Sequence, residues 1–550
     1  MARPFRLRIF AGRFCPRKQA FPLARATTAR AKGRPGGLPH RRDPAYQLSS
    51  YFVDTTLGGH GTGVKSCVFL GVLAGLLALA VDVPASAALA AAVAGGIFWL
   101  FLLQHPRAWI PLFLALALLL PPFPVIFAGQ EVPVHPASLL FALAVPVMMI
   151  RGSGCQLRPR PAGWWNRDSL SLSFLLFLAV LLFSTGLSFL YSGTGLGFES
   201  LLRWLLLTQG FAAFAWISYG PEGEVPSESA VVKLLLVLAL GSAVFALVDF
   251  IYQFLPTVRF SEQYIYLLEG PRRRAQGVFY DAGALGNFCA LLLTLIASLG
   301  LGEGTRRLGV SRALVWLPAP ALAVALVVSF SRGAILNLVA AFAALAWLHG
   351  RRLLGWRTVA VTAGAAGSAL LAAGLLVAGL APNITQPFFL RLEFSALQFF
   401  ASPNEVLSRR LETWRFLLSF IAERPQHFLL GIGYKTLPYV SFFGRPLVAD
   451  NMYLSLLAET GVLGLVAFLL LSLLLLLRTY RMSRSSDFVL ATLGAFLFAG
   501  WLGEMVQMLS SDTLTYWRVT PVYFVLLGLA VRRARRFPLE DEREDHAQHQ

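Results

Sequence analysis

The sequence predicts an all-α, polytopic integral membrane protein with about twelve to fourteen transmembrane helices and one large extramembrane loop. Three observations predict it. Apolar residues make up 56% of the 550 and charged residues only 14%, where soluble domains carry about a quarter charged. Mean hydropathy is +0.64. Apolar runs near the roughly 20 residues that cross a bilayer recur from Cys67 to Val531.

The opening segment, 1–63, is rich in arginine and has no acidic residue before Asp43. It lacks an apolar core and so is no secretory signal. It reads as a disordered basic arm on the cytoplasmic side, an over-called start codon or a transit peptide. Eleven spans are expected over 64–380, near 64–81, 84–103, 109–128, 135–150, 170–191, 200–219, 230–254, 281–301, 312–330, 332–349 and 357–380. Residues 381–450 form the large loop, too long for a connector. Within it, 405–423 reads as an amphipathic helix with Leu407, Leu411, Trp414, Leu417 and Leu418 on one side. Three more spans follow over 451–531, near 452–477, 486–505 and 519–531, and 532–550 is a cytoplasmic tail.

The net charge of +19 does not point to nucleic acid, because the basic residues sit in short loops and in the arm. That placement orients spans rather than building a binding face. With the N-terminus inside, the basic loops at 151–167, 306–312, 351–357 and 478–484 and the cluster Arg532, Arg533, Arg535 and Arg536 all fall inside. The loops at 256–280 and 381–450 then fall outside. Cys15, Cys67, Cys155 and Cys289 have neither metal-ligand spacing nor a disulfide pattern.

A charge at a helix centre costs about 2.5–3.5 kcal/mol on insertion scales. Arg203, Asp249, Arg332 and Glu504 are placed toward the outer ends of their spans, and Lys233 at an inner end. No span is expected to carry a charge near its middle. An ion-coupled transporter puts ionisable groups at the midplane; a membrane enzyme working on a lipid head group needs them at one interface.

Three segments on the outer side stand out. They are Gly270-Pro-Arg-Arg-Arg-Ala-Gln-Gly277-Val-Phe279, the turn Ser329-Phe-Ser-Arg332-Gly333, and Asp450-Asn451-Met-Tyr453, with nine residues between Asn451 and Gly461-Val-Leu-Gly464. Arg410 to Trp414 and Gly431-Ile-Gly433 stand in the large loop. In this order the set resembles the O-antigen ligase and O-antigen polymerase superfamily of bacterial membrane glycosyltransferases. The resemblance covers roughly residues 272–477. The main departure is Asp450, where ligases carry His; this favours the polymerase-type members, and His427 in the same loop is a weaker substitute.

The resemblance implies a bacterial inner-membrane protein whose active site faces the periplasm. It implies transfer of a glycan from an undecaprenyl-pyrophosphate-linked donor to a growing glycan, a lipid A core or a protein side chain, without cofactor. Arg274 and Arg332 would hold the pyrophosphate bidentately, with Arg272, Arg273, Arg410, Arg203 and Asn451 as further substrate contacts. Asp450 would take the acceptor proton, and an arginine within hydrogen-bonding reach is expected to screen it. No acidic metal-binding motif is evident, so a metal-independent reaction is expected. The plainer alternatives are that Asp450 only caps helix 452–477, that the arginine triplet anchors lipid head groups, and that Gly461 and Gly464 serve helix packing. At the level of the whole chain, a lipid-linked glycan transporter or a non-catalytic scaffold of a polysaccharide assembly complex are the alternatives.

Overall fold

A computed structural model describes residues 85–537, except 128–129, 155–168, 255–262, 268–269, 280, 302–303, most of 351–409, and 438–446. The expected arm, the spans at 64–81 and 357–380, and the acidic tail lie outside the described residues. The rest is helical, with two short hairpins. In chain order the helices are α1 (Ala85–Gln104), α2 (Trp109–Leu119), α3 (Pro136–Gly154), α4 (Ser169–Tyr219), α5 (Glu228–Tyr252), α6 (Ala282–Leu301), α7 (Gly304–Arg307), α8 (Arg312–Trp316), α9 (Ala319–Val328) and α10 (Arg332–Gly350). After the gap come α11 (Arg410–Ala422), α12 (Pro425–Leu430), α13 (Met452–Ser483), α14 (Phe488–Gln507) and α15 (Thr520–Arg536). β1 (Phe123–Phe127) pairs with β2 (Gln130–Val134), and β3 (Tyr264–Leu267) with β4 (Gly270–Arg273), both antiparallel.

Among the described residues, six helices are long and apolar enough to cross a membrane. A seventh span results if the pair Gly95–Gln104 and Pro106–Leu119, bent by 105°, counts as one. The expected spans at 135–150 and 312–330 are shorter apolar helices, Pro136–Met149 and Arg312–Val328. α4 explains another merger. Its 51 residues would run about 77 Å at 1.5 Å per residue, more than twice a hydrocarbon core of about 30 Å. Gly193, at φ 83° and ψ 173°, breaks it, dividing the two apolar halves expected at 170–191 and 200–219.

α10 packs along α14, α15 along α4, and α13 along both α4 and α14. Phe174, Phe211, Phe214 and Phe524 interlock at ring separations of 4.5–5.4 Å, joined through Tyr523 and Trp501. Chain direction defines two ends. At one, α5 and α14 begin and α15 finishes. There Arg533 bonds both oxygens of Asp487 at 2.6 and 2.9 Å and lies 3.7 Å from Glu228. Asp487 also caps α14 through the Leu490 N–H at 2.7 Å, and the Arg533 bond holds its carboxyl below the usual range. At the other end α6, α10 and α13 begin and α14 finishes. All three motif segments meet this second end, opposite the arginine-rich one.

The large loop docks on the second end. α11 buries Leu417 and Ile421, with Trp414 partly buried, against Ile432, Leu437, Leu447, Ala449, Leu454 and Ala458. The face differs by one position from the expected stripe. Leu418 is 50% exposed, and the i, i+4 pair Leu417 and Ile421 forms the buried row. Leu407 lies outside the described residues.

Candidate active site

The β3–β4 hairpin delivers the arginine triplet. Alternation along a strand sends neighbouring side chains to opposite faces, and the three arginines have three fates. Arg272 turns back over the end of α5, donating to the carbonyls of Phe250 and Ile251 at 2.9–3.3 Å and stacking 5.0 Å from the Phe250 ring. Arg273 is buried and pairs with buried Asp249 at 2.5 Å. Gln253 grips its backbone from both sides, at 2.9 and 3.2 Å. Arg274 follows the strand and donates to the Ser329 carbonyl at 2.8 Å and to Gln263 Oε1 at 2.7 Å.

Of the triplet, Arg272 and Arg273 are committed to holding the hairpin on α5. The substrate contacts expected of them meet side chains already engaged by protein. Arg274 instead reaches the serine-arginine turn. The Ala275 N–H donates to Val328 O at 3.1 Å in the same direction, so two of the motifs join through backbone. Gly277 sits at φ 53°, where a Cβ would meet Ala246 of α5, and its N–H donates to Asp249 Oδ2 at 3.3 Å. The first motif thus needs glycine for a left-handed, tightly packed turn.

Arg332 opens α10, half-buried. Ser331 caps that helix, accepting from the Ala334 N–H at 3.4 Å. Gly333 packs against Ser510, and the Ser510 carbonyl accepts from Arg410 Nη1 at 2.7 Å. Arg410 Nε lies 3.2 Å from Asp450 Oδ2; it is the arginine expected beside this carboxylate. Four residues on, one helical turn away on the same face, Trp414 Nε1 donates to Ala449 O at 2.7 Å. That is what the Arg-x-x-x-Trp spacing does: both side chains clamp the chain at Asp450.

Asp450 adopts a left-handed φ of 46° and does not cap α13. The cap is Asn451, whose Oδ1 accepts from the Leu454 N–H at 3.0 Å while Nδ2 donates to Leu509 O at 3.2 Å. The capping alternative moves one residue along, and the Asp450 carboxylate is left to Arg410. Burial pushes its pKa up, and the Arg410 charge opposes that; the negative charges of Asp281 and Asp512 add to the upward push.

Sequence reasoning missed five residues here. Asp281 caps α6 through the Ala284 N–H at 2.7 Å and accepts from Gln263 at 3.3 Å, linking it to Arg274. Tyr516 is raised by burial first and then by Asp281, with Asp512 and Asp450 adding. Lys435, at φ 57° and buried, is ion-paired to Asp512. Burial works against its charge, but Asp512 and Glu459 more than offset that and hold the ammonium above its usual range. Glu459 is the eighth residue of α13, just before the break at Gly461 and so toward the same end as the other charges. It lies in α13, 2% exposed, and accepts from the Leu437 N–H at 3.2 Å. The available signal was a glutamate inside an apolar run, two residues before a glycine.

That glycine breaks α13. Gly461 has φ 67°, and a Cβ there would strike the Leu429 carbonyl, while one on Gly431 would strike the backbone of Glu459. The two chains touch backbone to backbone: Ile432 N–H donates to Ala458 O at 3.1 Å and Gly433 N–H to Glu459 O at 2.9 Å. Ser184 Oγ of α4 also donates to Glu459 O, at 2.9 Å. The Gly-Ile-Gly element and the glycine of the last motif are one docking joint. Arg203 lies on α4, near enough to the buried Tyr434 phenol for its charge to act there. His427 is buried, 3.3 Å from the Gly431 carbonyl and stacked on Phe420 at 5.6 Å, a packing residue of the loop.

Residues 317–469 match a family model described as O-antigen ligase. This stretch of the chain is similar to that family. The matched segment takes in the serine-arginine turn, the large loop, Asp450-Asn451 and both glycines of the last motif. The arginine triplet precedes the O-antigen ligase match, and Glu504 and Asp512 follow it. No curated protein matches the chain. The match over 317–469, the helical membrane fold and the one-ended clustering of the motifs support a multi-pass membrane protein of glycan ligation or polymerisation in general.

Proposed function

We propose that the chain is a glycosyltransferase of the bacterial inner membrane. It would transfer or polymerise a glycan from undecaprenyl pyrophosphate at the periplasmic face. The observation that carries this reading is the Arg410–Asp450 pair. It sits within the O-antigen ligase match, at the end of the bundle where Arg274 and Arg332 also arrive. In the reaction, the acceptor hydroxyl oxygen bonds the donor's anomeric carbon as the bond from that carbon to the pyrophosphate oxygen breaks. The hydroxyl proton passes to Asp450, and undecaprenyl pyrophosphate leaves with the bonding pair. Arg274 and Arg332 stabilise the charge that grows on the leaving group. Arg410 keeps Asp450 ionised and ready to accept the proton.

The second end of the bundle is the one away from the arginine-rich helix ends. Short basic segments stay in the cytoplasm, which supports the periplasmic placement. A scaffold would leave these groups scattered, and their arrival at one end favours chemistry. The test is glycan transfer in proteoliposomes with a polyprenyl-pyrophosphate oligosaccharide. Asp450→Asn is expected to lose about 10²–10⁴-fold in rate, the usual contribution of a general base. Activity within a few-fold of wild type for Asp450→Asn, Arg274→Ala and Arg332→Ala together would refute the assignment.

A further inference from the structure

Glu504 has no part in the chemistry above, yet it is a buried carboxylate in a membrane-spanning helix, 8% exposed. Among the described residues no cation pairs with it. Its hydrogen-bond partners are amides and the Thr513 hydroxyl. Asn287 Nδ2 of α6 lies 2.7 Å from both Glu504 oxygens and 3.0 Å from Gln507 Oε1. Asn337 Nδ2 of α10 lies 3.3 Å from Glu504 Oε1 and 2.9 Å from the same Gln507 oxygen. Asn287 and Asn337 are each 1% exposed and Gln507 is 0%. An amide nitrogen carries two hydrogens, so each asparagine can give one to Glu504 and one to Gln507. The four side chains close a hydrogen-bonded square that ties α6, α10 and α14 together.

The square lies directly beneath the candidate site. Asn287 is six residues from Asp281 and Asn337 five from Arg332, so each stands about one and a half turns below a site residue. The last turn of α14 continues into three backbone carbonyls that the site uses. Met508 O accepts from the Met452 N–H at 2.9 Å, Leu509 O from Asn451 at 3.2 Å, and Ser510 O from Arg410 at 2.7 Å. The cavity that borders Glu504, Asn287 and Thr513 is about 20 Å³, room for one water and not for a sugar or phosphate.

We infer that Glu504 is a positioning residue, which through the Asn287–Asn337–Gln507 square fixes segment 508–510 and thereby the placing of Asp450 and Arg410. The inference rests on the proposed glycosyl transfer for its kinetic consequence, but not for its structural one. A positioning role predicts a loss in turnover with donor affinity kept, because the cavity beside Glu504 admits neither a sugar nor a phosphate. It also predicts that hydrogen bonding matters more than charge, since the Oε1 corner, which both asparagines reach, can be supplied by glutamine.

The test uses the full chain in nanodiscs with Glu504→Leu, Asn337→Leu and Glu504→Gln. Expected is a fall of at least tenfold in kcat per folded molecule for both leucine variants. Donor KM should stay within twofold, and Glu504→Gln should recover to within about threefold of wild type. Hydrogen exchange is read in parallel on the peptide carrying the Met452 amide, which Met508 O protects. It should speed up at least fivefold in Asn337→Leu, even if the wild-type protein transfers no glycan. Unchanged exchange in Asn337→Leu overturns the inference whatever becomes of the proposed function. So does wild-type kcat in both leucine variants, or a Glu504→Gln variant as inactive as Glu504→Leu. Should Glu504→Leu fail to fold, Asn337→Leu alone decides the matter.

Discussion

Removing Arg410 should move the acid limb of the pH–rate profile upward. As the acceptor base, Asp450 must be ionised, and its carboxylate is disfavoured by burial and by Asp281 and Asp512. Arg410, 3.2 Å away, is the opposing charge. The carboxylate side chain is 44% exposed and the guanidinium 29%, so water screens the pair, and about 0.2–1 kcal/mol is the appropriate scale. That energy corresponds to roughly 1.4- to 5-fold in the ionised fraction on the acid limb, and Arg410→Ala should push the Asp450 pKa further up. The active fraction at the acid side then falls, and the limb shifts to higher pH. The assay is kcat/KM for glycan transfer across the acid range in proteoliposomes, with Arg410→Lys, which keeps the charge, expected between wild type and alanine. Arg410 also bonds Ser510 O, so folded protein is counted by fluorescence-detected gel filtration before rates are compared. A limb that moves down, or that stays unchanged while Asp450→Asn abolishes transfer, would refute the claim that Arg410 supports ionised Asp450.

Other outcomes follow from the same contacts. Arg273→Met leaves Asp249 buried without its partner, a change that costs about 3–5 kcal/mol; the folded yield should collapse, whereas Arg272→Ala, with Arg272 on the rim, should fold. Asn451→Ala removes the α13 cap and should lower stability by about 1 kcal/mol, visible as a lower unfolding temperature in detergent. Gly461→Ala puts a Cβ against the Leu429 carbonyl at a left-handed φ and should cost about 1–3 kcal/mol or more, read as aggregation in gel filtration. Asp487 is held below the usual carboxylate range by Arg533. Its stabilisation is therefore present above the unfolded pKa of about 3.9 and is lost as pH falls through the lower folded value; Asp487→Asn should flatten the acid dependence of the unfolding temperature.

The helical membrane class was legible because hydrophobic runs are a bulk property, and the motifs were legible because each is a local constraint on backbone. The Arg410 to Trp414 spacing is a helical-face relation within five residues. Partnership between distant residues was not legible. Nothing in the triplet of arginines distinguishes Arg273, which meets Asp249 of α5, from Arg274, which meets the turn before α10. Asp512 and Lys435 are 77 positions apart, and only the docking of the loop pairs them. The cap fell on Asn451 rather than Asp450 because Asp450 takes a left-handed φ, a choice set by the Arg410 and Trp414 clamp. The helix count was less legible: the apolar runs at 135–150 and 312–330 form shorter helices, Pro136–Met149 and Arg312–Val328, and hydropathy alone does not set helix length.

The electrostatics of this end follow from which helix ends meet there. α6, α10 and α13 present N-termini, each equivalent to roughly half a positive charge, and Asp281, Ser331 and Asn451 satisfy their first N–H groups. α14 presents the opposite pole, a C-terminus whose carbonyls would repel a phosphate. Those carbonyls are the ones that the site consumes: Met508 O by the Met452 N–H, Leu509 O by Asn451, and Ser510 O by Arg410. With those carbonyls bonded to donors from α13 and the loop, three positive poles and the guanidiniums of Arg274, Arg332 and Arg410 share this end with the carboxylates of Asp281, Asp450 and Asp512. Under the proposed reading, the helix N-termini and the arginines are the groups that would hold the donor's pyrophosphate. Burial pushes the Asp450 pKa up, Asp281 and Asp512 add to that, and Arg410 opposes it, so under the proposed reading the ionised base depends on the Arg410 pair 3.2 Å away.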